Sequence, residues 1–175
     1  RIAALAARNL FLTRTMTSAG AVYRFHSLYR NALAALARDA FGSDGLRELH
    51  AHIARCYHAA GRYDRAVRHH LAAGEIEEAA DVVVKNAGRL IEEGAVEAVK
   101  TLVAHFPEAY RENNPHLLMY DGVANKRQDF SRAIRCLERA RALFEAAGDS
   151  AMRMQACLHL MMTSVYQNRL DIVVR

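Results

Sequence analysis

The chain has 175 residues, 52 % of them hydrophobic and 25 % charged, enough apolar material for a core and far too much for a disordered tail. Alanine, leucine, arginine and glutamate are prominent, with only Pro107 and Pro115 and no tryptophan, a balance that predicts a helical protein. The net charge of +5 invites a nucleic-acid reading, but the arginines are spread along the chain and interleaved with acids, as in Arg135, Glu138, Arg139, Arg141 and Glu145; that pattern predicts solvated helix faces rather than a phosphate-binding stripe.

Residues 1–8 alternate alanine with leucine and arginine and predict the tail of a helix. The period then changes. Leu10 to Thr15 and Ala21 to His26 are β-prone, and the small, glycine-containing link Met16 to Gly20 between them predicts a hairpin. Ser27 is placed to cap a helix from Leu28 to about Phe41, with Leu28, Leu33 and Leu36 as its apolar stripe. Gly42-Ser43-Asp44-Gly45 is a turn cluster and the first boundary, which divides the chain into residues 1–41 and residues 46–175.

Past that boundary, helical segments are punctuated by Gly61, Gly74, Gly94, Asn113-Asn114-Pro115, Gln128-Asp129 and Ala147-Gly148-Asp149. Four stretches share a pattern: Gly61 to Ala66, Gly94 to Val99, Gln128 to Ala133 and Asn168 to Val173. Each has a turn residue, a bulky apolar residue two later (Tyr63, Val96, Phe130, Leu170), and a small or β-branched residue three after that. The final markers, Ala66, Val99, Ala133 and Val173, are 33, 34 and 40 residues apart. A tetratricopeptide repeat has a period of about 34 residues. In such a repeat the bulky residue starts the second helix of a pair, and the small one lets helices approach closely. An extra helix-like stretch, Gly74 to Ala80, falls between markers, so the expectation is an all-α, tetratricopeptide-like α-solenoid of helical hairpins with irregular pitch.

Cys56, Cys136 and Cys157 are far apart and odd in number, which excludes a disulfide framework and predicts buried small hydrophobes in a reducing compartment. With no membrane-length apolar run and no signal-peptide pattern, a cytoplasmic location and no membrane partner are expected. Arg1 opens the chain in mid-pattern, as in a segment of a longer protein.

Two motifs in order are similar to the middle of large ATP-dependent bacterial transcription regulators of the MalT/LuxR kind, in the signal-transduction ATPase class. The first is Asn9-Leu10-Phe11-Leu12 followed by Tyr23-Arg24-Phe25-His26-Ser27-Leu28-Tyr29-Arg30, which resembles that family's winged-helix hairpin. The second is Glu48-Leu49-His50, Ala54, Tyr57, Gly61, Ala66, His69 and Leu71-Ala72-Ala73-Gly74-Glu75. The resemblance implies that residues 1–41 are the C-terminal part of a winged-helix domain and residues 46–175 a repeat domain. It further implies an ATPase module and a DNA-binding helix-turn-helix elsewhere in the full-length protein. No G-x-x-x-x-G-K-[ST] loop occurs here, so no cofactor is expected in this segment, although the full-length protein would use ATP. The stretch Pro115-His116-Leu117-Leu118-Met119-Tyr120 continues into Asp121 to Arg127, more polar than the family pattern.

No residue set here predicts catalysis. His50, His52, His58, His69 and His70 lie near one another in sequence, but His50 and His52 point to different helix faces, and no convergent zinc set is expected. His26 beside Ser27 lacks a third orienting group, and Glu77-Glu78 and Glu92-Glu93 read as solvated faces. Met152, Met154, Met161 and Met162 with Leu158 and Leu160 read as a core seam. Counting back from Ala66 and Ala133, the first helices of two pairs run through residues 50–60 and 117–127; the resemblance to tetratricopeptide-like solenoids implies that such first helices line a concave groove, where Arg55, His58, Asn125 and Lys126 are candidate partner contacts. The expected function is therefore a non-enzymatic regulatory scaffold of a LuxR-type regulator. Its partners would be the other domains of that protein and a protein or small-molecule inducer, with DNA reached only through a domain absent here. The alternative is a stand-alone tetratricopeptide adaptor for a peptide or protein.

Overall fold

A computed structural model describes residues 12–17 and 20–166; the expected helix tail at residues 1–8, Asn9 to Phe11, and the marker stretch Asn168 to Val173 lie outside the described residues. The protein is mostly helical, with one two-stranded sheet near its start. It divides into two compact units, one ending at Leu49 and the other beginning at His50.

In the first unit, β1 (Leu12–Thr17) pairs antiparallel with β2 (Gly20–Phe25), in a register running from Leu12 opposite Phe25 to Thr17 opposite Gly20. The link is thus shorter than the sequence suggests. Met16 and Thr17 continue the ladder, because an unbranched and a β-branched side chain both fit a pleated ribbon. Thr13 Oγ1 donates to the Arg24 carbonyl at 3.1 Å across the pair. Helix α1 (Ser27–Ala59) follows after His26. Its first bond runs from Arg30 N to the His26 carbonyl at 2.9 Å, so His26 holds the cap position expected of Ser27, which is the first helical residue. The expected stripe of Leu28, Leu33 and Leu36 is exposed and does not form a core.

The turn cluster at Gly42 is condensed into one residue. Two helical stretches of α1 meet there at a kink, where Gly42 has φ 65° and ψ −177°, a backbone region open essentially to glycine alone.

The second unit holds the end of α1, then α2 (Tyr63–Ala73), α3 (Ile76–Glu92), α4 (Val96–Ala104), the single turn α5 (Glu108–Arg111), α6 (Pro115–Asn125), α7 (Phe130–Ala146) and α8 (Ser150–Tyr166). Four of the turns are the same device. After Gly61, Gly74, Gly94 and Gly148, the next N–H (Arg62, Glu75, Ala95, Asp149) donates to the carbonyl five residues back (Tyr57, His70, Leu90, Phe144) at 2.7–2.9 Å. Each satisfies helix-end carbonyls and restarts a helix two residues past the glycine. Helices α6 and α7 start on side-chain caps: Asn114 Oδ1 accepts from Leu117 N at 3.0 Å, and Asp129 Oδ1 from Arg132 N at 2.9 Å.

The markers Ala66, Val99 and Ala133 are each the fourth residue of a helix (α2, α4 and α7), and each is fully buried. Two apolar clusters fill the unit. One joins α2, α3 and α4 around Val67, Val83, Val99 and Phe106, and the other joins α7 and α8 around Leu137, Phe144, Ala156 and Leu160. Helix α6 supplies both, with Leu117 and Ala124 in the first and Leu118, Met119 and Val123 in the second. It also lies very close to α7: a Cβ placed on Gly122 would stand 2.7 Å from Leu137 Cγ and 3.0 Å from the Ala133 carbonyl.

Candidate functional site

The four groove candidates fall into two pairs. On α1, Arg55 is exposed and His58 stands edge-on to Tyr63, with ring centroids 5.9 Å apart. At the end of α6, Asn125 Nδ2 is spent on its own helix, donating to the Asp121 carbonyl at 2.9 Å and to Asp121 Oδ1 at 2.8 Å. Lys126 borders a cleft of about 500 Å³ with Glu97 and Gln128 and lies near His159 of α8. Among the described residues, no hydrogen bond and no described cleft joins one pair to the other.

A second concavity of about 510 Å³ lies where α5, α6 and α7 meet. Its α7 wall carries Arg132, Arg135, Cys136 and Arg139, which stand at i, i+3, i+4 and i+7 and so share one helix face. Arg111 of α5 faces it, with Leu118 of α6 also lining it. At the base is Asp121, buried at 4 % exposure. Its Oδ2 accepts from Arg132 Nε at 3.2 Å and from Arg132 Nη2 at 2.8 Å, while Oδ1 takes the Asn125 amide. A buried carboxylate is tolerated only when so paired, and this pairing fixes the guanidinium of Arg132 in turn. Cys136 Sγ donates to the same Oδ2 at 3.6 Å; burial first, then the Asp121 charge, pushes its thiol up to about 11. Arg111, Arg135 and Arg139 have no ion pair or hydrogen bond of their side chains among the described residues.

Sequence reasoning missed this wall. It took Arg135, Glu138, Arg139, Arg141 and Glu145 as an even mixture, but a period of 3.6 separates them: Arg132, Arg135 and Arg139 take one face of α7, whereas Glu138, Arg141 and Glu145 fall on the other. Writing the charges on a helical wheel would have found it.

The histidines form pairs between elements. His50 Nδ1 and His69 Nδ1 are 2.8 Å apart, and His69 also stacks on Tyr57 at 5.5 Å, beneath Arg65, whose Nη1 donates to the Tyr57 hydroxyl at 3.1 Å. Burial, then His50 and the neighbouring arginines, lowers the pKa of His69. His70 Nδ1 lies 2.7 Å from Glu75 Oε2, and His105 Nε2 lies 2.7 Å from Asp64 Oδ1, which ties α4 to α2. Tyr110 donates to Glu77 Oε2 at 2.8 Å, and burial with that carboxylate pushes its hydroxyl up to about 12. Among the described residues, no group of three or more metal-ligating side chains converges. Against the expectation of buried thiols, Cys56 is exposed and Cys136 and Cys157 are half-buried, Cys136 because it lines the open concavity.

The methionine seam on α8 divides by face. Met152 and Leu160 pack on α7, whereas Met154, Leu158, Met161 and Val165 form an exposed apolar stripe at helical spacing. No helix among the described residues is long and apolar enough to cross a membrane.

Compared with protein-family models, curated proteins and solved structures, the chain matches none of them.

Proposed function

We propose that this chain is a regulatory helical scaffold of a bacterial LuxR-type transcription regulator, acting in the cytoplasm by contact and joining an ATPase module to sensor and DNA-binding parts. On this reading the helices of the second unit form a tetratricopeptide-like solenoid with irregular pitch. The observation that carries it is the order of elements: a two-stranded hairpin runs through Tyr23-Arg24-Phe25-His26 into a helix, and helices joined by repeated short turns follow. The equivalent burial of Ala66, Val99 and Ala133 at the fourth position of their helices supports the repeat. The exposed stripe on α8 favours the second reading, a stand-alone adaptor that takes a helical segment of a partner protein.

The reading frame encoding the chain tests both. A phosphate-binding loop upstream and a helix-turn-helix downstream are the expected result. A frame with neither, whose product pulls down a partner only while the α8 stripe is intact, supports the adaptor and overturns the regulator.

A further inference from the structure

We infer that the arginine-walled concavity between α5, α6 and α7 binds a small organic phosphate monoester that carries hydroxyl groups. The inference does not depend on the scaffold reading, since either a regulator or an adaptor can hold such a ligand.

Four guanidinium groups line one cavity, and only Arg132 is compensated, by the buried Asp121. Arg135 and Arg139 are one turn apart on α7, a like-charge spacing that weakens a helix unless an anion is shared between them. Guanidinium groups donate in a planar fork that fits phosphate oxygens. Asp121 holds the Arg132 fork in place, so that group is ordered before any ligand arrives. A volume of about 510 Å³ is that of a small-molecule site.

The opposite side decides what the anion carries. Glu108, Glu112 and Asn113 line it, and the two carboxylates make no side-chain ion pair among the described residues. A bare carboxylate accepts hydrogen bonds and repels a second anionic group, so it suits hydroxyls rather than another phosphate. Among the described residues no aromatic ring lines the cavity to stack a base, which disfavours a nucleotide. Leu118 and the protonated thiol of Cys136 give a small apolar patch beside Asp121.

The test is calorimetric titration of the chain with glycerol 3-phosphate, glucose 6-phosphate, inorganic phosphate, glucose and AMP at constant ionic strength. The expected result is saturable one-site binding of the two hydroxylated esters, weaker binding of inorganic phosphate and none of glucose. R135Q and R139Q should each weaken the esters about tenfold or more, the loss of a charge-assisted contact. R153Q, at a surface arginine outside the cavity, should leave binding unchanged. Arg132 is left intact, because its removal would strand Asp121. Both variants should keep the parent's circular dichroism. E108Q and E112Q together should weaken glucose 6-phosphate while sparing inorganic phosphate. No saturable binding, AMP bound more tightly than glycerol 3-phosphate, or esters bound equally well by the double variant R135Q/R139Q would each overturn the assignment.

Discussion

Two glycines inside helices give opposite signs for one substitution. Gly88 lies within α3 with nothing within 4 Å of a built Cβ, so Gly88→Ala gains only the better helix former, about 0.5–1 kcal/mol. Gly122 of α6 would gain as much, yet its Cβ would stand 2.7 Å from Leu137 Cγ, 3.2 Å from Leu137 Cδ2 and 3.0 Å from the Ala133 carbonyl. Leu137 is fully buried, and the carbonyl belongs to the backbone of α7, so neither neighbour gives way freely. Overpacking of this kind costs about 1–3 kcal/mol, so it exceeds the helix gain and leaves Gly122→Ala about 1–2 kcal/mol less stable. For a chain this size that lowers Tm by several degrees, while Gly88→Ala raises it by a smaller amount. Urea melts followed by far-ultraviolet circular dichroism measure both. A double-mutant cycle with Leu137→Ala isolates the cause: truncating Leu137 alone should cost about 2–5 kcal/mol, and less by about 1 kcal/mol in the Gly122→Ala background, where it relieves the clash. Equal effects at the two glycines, or additivity in the cycle, would refute a close α6–α7 approach.

Three further outcomes follow from the described geometry. His69, His116 and His159 all have lowered pKa values, each chiefly through burial, with His50 and arginines adding for His69, Lys126 for His159, and Asp149 and Asp81 opposing for His116. The unfolded chain therefore takes up more protons, so stability is full above the ordinary histidine value of 6.5 and is lost as pH falls through the lowered folded values; His116→Leu should flatten the acid limb of a stability–pH curve, and an unchanged limb counts against the burial argument. At mildly alkaline pH a disulfide reagent should label Cys56 first and leave Cys136 slow, since its thiol is pushed up to about 11; rapid labelling of Cys136 would contradict its burial. Gly42→Ala should cost about 1–3 kcal/mol from backbone strain alone, because nothing lies within 4 Å, and D-alanine installed by ligation should restore stability.

Local signals were the most legible in the sequence. Gly61, Gly74, Gly94 and Gly148 end helices as read, because the residue that takes the left-handed conformation without strain is written in the sequence itself. The hairpin was legible to within two residues, since Met16 and Thr17 suit a strand or a link and only pairing decides. The α1 stripe of Leu28, Leu33 and Leu36 was legible as an apolar face but its exposure was not, because periodicity says that a face is apolar and says nothing of what covers it. The arginine wall was hidden for a related reason: charges were counted along the chain, while contact is made around a helix. Arg111 could not have been added at all, since its place opposite α7 depends on the tertiary path through Pro107 and Pro115.

Helix α6 has its apolar residues divided between two clusters, with Leu117 and Ala124 on one side and Met119 and Val123 on the other. A linear array melts from its ends when each interface is independent. Here a nearest-neighbour description must share one helix between adjoining interfaces, so losing either cluster strips half the burial from the element that supports the other. The amides of α6 should accordingly exchange only in openings that dissolve α2 to α8 together, whereas α8, packed on one side, can detach alone and exchange at a lower free energy. A perturbation at either end of the second unit would then register across it as a change in cooperativity.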